Sequence, residues 1–234
     1  VPQDKQARFT FDENIDCTPF EVQFNNASTG GSTYHWDFGD GSDTTTTDLG
    51  SVSHIFENSD FVNTAIFNVT LTAVNSAGCS DVITKTVMVY PAIQAGFTMD
   101  ITEGCHPLKV DFTNSSDGGF TYLWDFGDGT SSSADNPGHV FNNFSDVAVT
   151  RQIRLIATSR FNCTSEFTSE VTIHPKPKAR FETDRIENCP PFDVRITNTS
   201  INSTHFLWKF GDGEILDTDS GNPVNHVYLN QTSN

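Results

Sequence analysis

Trp36-Asp37-Phe38-Gly39-Asp40-Gly41 returns as Trp124-Asp125-Phe126-Gly127-Asp128-Gly129 and again as Trp208-Lys209-Phe210-Gly211-Asp212-Gly213. The tryptophans stand 88 and then 84 residues apart (124 − 36 and 208 − 124). That is the period of a small domain, not of a solenoid turn of roughly 20 to 50 residues. The surroundings recur with the phrase. Upstream lie Arg8-Phe9, Gly96-Phe97 and Arg180-Phe181, followed by a cysteine close to a proline: Cys17 and Pro19, Cys105 and Pro107, Cys189 and Pro191. Downstream comes His54-Ile55-Phe56, His139-Val140-Phe141 or His226-Val227-Tyr228. The first two copies add a second cysteine, Cys79 or Cys163, and close on Val89-Tyr90-Pro91 or Ile173-His174-Pro175. Asn234 falls near the counterpart of Phe61, so the third copy is expected to be C-terminally incomplete and the chain a mature or excised piece. The expected modules are residues 1–91, 92–176 and 177–234, about 85 residues for each complete one, a size at which one core can hold a fold.

Thirteen basic against thirty acidic residues give a formal net charge of −17. Such a surface repels phosphate backbones and anionic lipid, which argues against nucleic-acid binding. No run of eighteen apolar residues occurs, so no direct membrane insertion is expected. Five cysteines at repeating positions, without a Cys-x-x-Cys or a Cys/His metal spacing, read as a disulfide framework in an oxidising compartment. The cysteine pattern places the expected location outside the cytoplasm, secreted or at the cell surface.

The pattern between the signals is all β. Phe20 to Phe24, Leu108 to Phe112 and Phe192 to Ile196 alternate apolar and polar residues with period two, as half-buried strands do. Further strands are expected over Tyr34 to Phe38, Ala65 to Val74 and Val82 to Val89, with counterparts over Tyr122 to Phe126, Arg151 to Thr158 and Phe167 to Ile173. Seven or so short strands per repeat, separated by Gly/Asn/Ser/Asp clusters, predict tandem Ig-like β-sandwich modules placed end to end.

Within the repeated phrase, Trp and the Phe two positions on share one face of a strand, so both enter an inter-sheet core. Gly-Asp-Gly then supplies a turn, with glycines that tolerate positive φ and an aspartate that accepts backbone N–H groups. The recurring histidines occupy one slot in every copy, with no nucleophile in a recognisable setting and no HExxH, so they read as packing or strand-end hydrogen-bonding groups. The aspartates sit on a turn with no cleft implied, unlike a glycosidase pair. No enzyme activity and no required cofactor are expected.

These residues resemble tandem PKD (polycystic kidney disease) domains, whose signature is the Trp-Asp-Phe-Gly-Asp-Gly phrase followed by His-x-Tyr/Phe. The resemblance covers essentially the whole chain. The cysteines, one ahead of the second strand and one after Asn75-Ser76-Ala77-Gly78, look like those of PKD repeats in very large Bacteroidota surface proteins, including gliding-motility adhesins exported by the type IX system. The resemblance implies a choice at the turn. Either it is a core strand entering a tight turn, or it is a calcium site using Asn26 with Asp40, Asn114 with Asp128 and Asn198 with Asp212. Calcium needs six to eight oxygens, and each repeat offers only two or three here. The resemblance also implies disulfides Cys17–Cys79 and Cys105–Cys163, closing loops of similar length. In plain Ig topology those positions lie at opposite ends, so the pairing requires a first strand that doubles back. The implied function is a non-enzymatic extracellular stalk or adhesin segment of a large cell-surface protein. Its expected partners are extracellular matrix, surface glycans, other surface proteins and further copies of itself. The alternative is a polysaccharide- or collagen-binding accessory of a secreted hydrolase.

Overall fold

The computed structural model describes residues 6–229, and among them there is no helix. Two compact units divide the chain: residues 1–98 with 112–137 and 153–169, and residues 99–111 with 138–152 and 170–234.

The first repeat, inside the first unit, contains β1 (Phe9–Thr10), β2 (Ile15–Asp16), β3 (Phe20–Asn26), β4 (Thr33–Asp37), β5 (Asp43–Thr46), β6 (Ser51–Phe56), β7 (Ala65–Val74) and β8 (Ser80–Val89). They form a three-stranded sheet, β1-β3-β6, and a five-stranded sheet, β2-β8-β7-β4-β5. The alternation read in the sequence sets the faces. Phe20, Val22 and Phe24 of β3 point inward while Glu21, Gln23 and Asn25 point to solvent. Trp36 and Phe38 meet them from β4 and the turn after it, with Val69 and Leu71 from β7 and Val87 and Val89 from β8. The Trp36 ring lies 5.3 Å from Phe9 and 5.9 Å from Phe24. Removing an indole of this size from water is worth on the order of 5 kcal/mol, so Trp36 anchors the sandwich.

One feature departs from plain sandwich alternation. After β1 the chain crosses to the other sheet, where β2 runs parallel to the last two residues of β8, Ile15 opposite Met88 and Asp16 opposite Val89. It then returns through Cys17 and Pro19 to β3.

The second repeat has the same order: β9 (Phe97–Met99), β10 (Glu103–Cys105), β11 (Leu108–Asn114), β12 (Thr121–Asp125), β13 (Ser131–Ser132), β14 (Gly138–Phe141), β15 (Val149–Thr158) and β16 (Thr164–His174). Its sheets are β14-β11-β9 and β10-β16-β15-β12-β13. The third, within the second unit, comprises β17 (Phe181–Thr183), β18 (Phe192–Asn198), β19 (Phe206–Lys209), β20 (Ile215–Thr218) and β21 (Val224–Tyr228), in sheets β17-β18-β21 and β19-β20. Counterparts of β7 and β8 are not present among the described residues of this repeat.

Candidate functional site

Two constellations carry the chemistry-bearing residues: the turn that ends the repeated phrase, and the cysteines.

At the turn, Asp37 Oδ1 accepts the Gly39 N–H at 2.9 Å, and Asp40 Oδ1 accepts the Ser42 N–H at 2.9 Å and the Ser42 hydroxyl at 2.6 Å. The backbone is left-handed at Gly39 and Gly41. A Cβ on Gly39 would stand 2.8 Å from the Asn68 carbonyl oxygen, so the turn also needs glycine for close approach to β7. Strand β6 supplies the other wall. His54 stacks on Phe38 with centroids 4.0 Å apart and planes 6° from parallel, and meets Phe56 edge-on at 4.7 Å. Its Nε2 lies 2.7 Å from Asp40 Oδ2, and because an ionised carboxylate only accepts, His54 is the donor. Burial opposes ionisation of Asp40, but hydrogen bonds from Ser42 and His54, with the charge of His54, hold its pKa down to about 2.

The third repeat reproduces this arrangement. His226 stacks on Phe210 at 4.0 Å, meets Tyr228 edge-on at 4.6 Å and lies 2.7 Å from Asp212 Oδ2. The Glu214 N–H and then His226 hold the Asp212 carboxyl below the usual range. In the second repeat, Asp128 Oδ1 accepts from the Thr130 N–H and hydroxyl, and His139 meets Phe141 edge-on at 4.6 Å. In the first and third repeats Phe, His and Asp thus form one packed unit that locks the turn to β6 or β21. The imidazole is consumed in holding it, as a packing and strand-end role requires.

The asparagines named as calcium ligands lie elsewhere. Asn26, Asn114 and Asn198 each turn Oδ1 back onto a backbone N–H two residues on, at Ser28 (3.1 Å), Ser116 (2.9 Å) and Ser200 (3.0 Å). Those serine hydroxyls then hold the leading segment, at Arg8, Gly96 and Arg180. Asn26 stands opposite Phe9, whereas His54 stands opposite Val22, four residues back along β3. Four strand residues span about 13 Å, so Asn26 and the His54-bound Asp40 do not share a ligand shell. In the first repeat both oxygens of Asp40 and the carboxamide oxygen of Asn26 accept hydrogen bonds, each from within its own turn or from His54. Among the described residues no three His, Cys, Asp or Glu side chains are grouped to hold a metal.

Sequence reasoning missed two buried asparagines. Asn58 Nδ2 donates to the carbonyls of Asn63, Val89 and Tyr90, and Asn143 Nδ2 donates to those of Val147 and Ile173. Each ties the segment after β6 or β14 to the end of the repeat's last strand. The signal was present, since both follow the recurring histidine by four residues.

The cysteine pairing differs from the expectation. Cys17 bonds to Cys163, 146 positions away, with Cα atoms 5.7 Å apart; Cys79, Cys105 and Cys189 are exposed and unbonded. The expected Cys17–Cys79 and Cys105–Cys163 bonds are not formed. The reason is the crossing of β2. Cys17 follows Asp16, which pairs with Val89 at the end of β8, whereas Cys79 precedes the first residue of the same strand. Ten strand residues span about 30 Å, while a disulfide requires Cα atoms roughly 4.4–6.8 Å apart. Cys105 likewise pairs with His174, at the far end of the strand that begins just after Cys163. Next to the formed bond, Tyr90 stacks on Phe161 with centroids 4.4 Å apart.

No curated protein matches the chain. Among solved structures it is similar to the PKD1 domain of the Vibrio cholerae metalloprotease PrtV, at 23% identity over 36% of this chain and 98% of that one, with a TM-score of 0.30. It is also similar to the fibronectin(III)-like modules of Clostridium thermocellum CbhA, at 16% identity over 72% and 94% with a TM-score of 0.34. A third is the extracellular domain of protocadherin GammaB4, at 12% identity over 87% and 40% with a TM-score of 0.34. The PKD domain family matches residues 6–90 and again residues 88–173, most of the chain, and the protein belongs to that family.

Proposed function

We propose that this chain is a non-enzymatic segment of a large extracellular protein, of the stalk or adhesin kind, whose modules provide spacing and contact instead of chemistry. PKD domains are extracellular adhesion or protein–protein modules, typically non-catalytic, and no helix among the described residues is long and apolar enough to cross a membrane. The observation that carries the reading is the Cys17–Cys163 bond, which joins the first repeat to the second. A covalent strut of that kind transmits load between modules and has no catalytic use. The surface-protein reading, with gliding or type IX export as its most specific form, rests on the cysteine pattern alone.

Partners of the proposed segment are matrix proteins, surface glycans or other surface proteins. The reading is tested by incubating the chain with chitin, cellulose and collagen and measuring retention. Passage through chitin and cellulose is expected, whereas clear retention on either favours a binding accessory of a secreted hydrolase; retention on collagen alone is a matrix contact of the proposed kind. One observation favours that second reading: Phe120 and Phe144 are 57% and 82% exposed, with the Arg160 guanidinium 4.8 Å from the Phe120 ring. Trp36 and Trp124 offer no platform, because both are fully buried.

A further inference from the structure

We propose that Cys79 is a covalent docking site for the strand-end cysteine of another PKD module, so that the bond seen between Cys17 and Cys163 is the general closure of a junction between consecutive modules. The two hairpin turns that carry Cys79 and Cys163 are built alike. Asn75 N–H donates to the Cys79 carbonyl at 3.0 Å and Ser159 N–H to that of Cys163 at 2.8 Å. The cysteine N–H in turn donates to Asn75 Oδ1 or Ser159 Oγ. The residue before each cysteine is left-handed, Gly78 at φ 80° and Asn162 at φ 65°.

Both hairpins are also latched to the segment that leads into their own repeat. Asp81 Oδ2 accepts the Ala7 N–H at 2.8 Å, and Ser165 Oγ accepts the Ala95 N–H at 3.0 Å. That latch explains why Cys163 meets Cys17. The leading segment of the second repeat continues over four residues from Tyr90, whose N–H donates to the Asp16 carbonyl at 2.8 Å, beside Cys17. A hairpin held to its leading segment is thereby held to the end of the preceding repeat. Cys79 stands in the same relation to Ala7 that Cys163 has to Ala95, and its thiol is exposed and unbonded. Its occupant is defined by what Cys163 takes: a cysteine just past a short strand that runs parallel to the end of a module's last strand. Cys105 ends such a strand here, β10 paired with β16, and is the thiol that would receive the hairpin cysteine of a complete following module. Closure oxidises two thiols. A thiolate displaces glutathione from a mixed disulfide on the other cysteine, and each new bond reduces one oxidised glutathione to two reduced molecules.

The test adds one module upstream of the chain. A copy of residues 1–93 carrying Cys79→Ser is joined to residue 6 of the protein, so that Ile93 precedes Gln6 as it precedes Gln94 in the native sequence. The fusion is oxidised with oxidised glutathione, alkylated, digested without reduction and mapped by mass spectrometry. Linked peptides Cys17–Cys79 and Cys17–Cys163 are expected in equal amounts, with Cys105 and Cys189 alkylated and labelling of Cys79 reduced from full in the parent chain to background. Alkylated Cys79 overturns the proposal, as does a Cys17–Cys79 peptide that appears only with loss of Cys17–Cys163. Circular dichroism reports whether the fusion folds. If it does not, the parent chain decides: it must show Cys17–Cys163 with Cys79, Cys105 and Cys189 alkylated, and a Cys17–Cys79 or Cys105–Cys163 peptide there refutes the register.

Discussion

Replacing Asp40 with asparagine removes a carboxylate that accepts from the Ser42 N–H and hydroxyl and from His54. Burial works against the charged form, yet the hydrogen bonds and the charge of His54 bring its pKa from 3.8 to about 2. The folded-state pKa lies below the unfolded one, so the contribution is fully present above about pH 4 and fades as pH falls through about 2. The drop corresponds to roughly 2.4 kcal/mol at saturation. Because the Asp40 side chain is 23% exposed at a surface turn, solvent screening reduces this to about 1 kcal/mol. Asp40→Asn should therefore lower the unfolding temperature of its module by about 4–8 °C at pH 7. At pH 2.5 only about a third of the difference from wild type should remain. Scanning calorimetry at the two pH values measures the difference, and hydrogen exchange at pH 7 should localise the loss to residues 33–56. His54→Ala and the double variant complete a cycle whose coupling should be about 0.5–1 kcal/mol. A wild-type-to-variant difference that stays constant between pH 7 and 2.5, or that is absent at pH 7, would refute the reasoning.

Other outcomes follow from individual contacts. Trp124 Nε1 donates to the Ala134 carbonyl at 2.9 Å, whereas Trp36 Nε1 is buried without a partner; Trp124→Phe should cost about 1–2 kcal/mol more than Trp36→Phe, as read by exchange of each module's amides in denaturant. Gly39→Ala pushes a Cβ against the Asn68 backbone at a left-handed position and should cost about 3 kcal/mol or more, while Gly41→Ala, left-handed but in open space, should cost about 1–2 kcal/mol in the same assay. Asn58→Ala strips the donor from three carbonyls and should destabilise by about 2–3 kcal/mol, visible as faster exchange at the end of β8. Cys17→Ser opens a loop whose closure is worth on the order of 5 kcal/mol in the chain-entropy limit; maleimide labelling should add Cys163 to the three thiols already unbonded, and calorimetry should show a lower midpoint.

Strand and core were legible wherever the signal is local. The alternation over Phe20 to Phe24 placed each side chain on its observed face, and the expected strand over Ala65 to Val74 has its observed bounds. The strand expected over Phe167 to Ile173 runs from Thr164 to His174, because backbone pairing continues past the apolar stripe into exposed Thr164 and Glu166 and half-buried Ser165. The hairpin partners of the phrase were less visible. β5 is Asp-Thr-Thr-Thr, a polar edge with no apolar stripe to betray it. The Asp–His contact could not be read either, since it joins a turn to a strand fourteen residues on through side chains alone. Asn26 and Asp40 looked like companions because each recurs in every repeat, yet each closes its own short turn.

By itself the order of residues determined the period, the all-β class, the PKD identity and which aromatic rings fill the core, because period-two burial and glycine turns are properties of neighbouring residues. Only the tertiary structure decided which cysteines meet. Two residues of β2 change sheets and lie along the end of β8, which moves Cys17 a strand's length from Cys79 and beside the hairpin of the following repeat. Disulfide choice depends on distances between chain ends that many separate pairings set together, and no short stretch of sequence carries that sum.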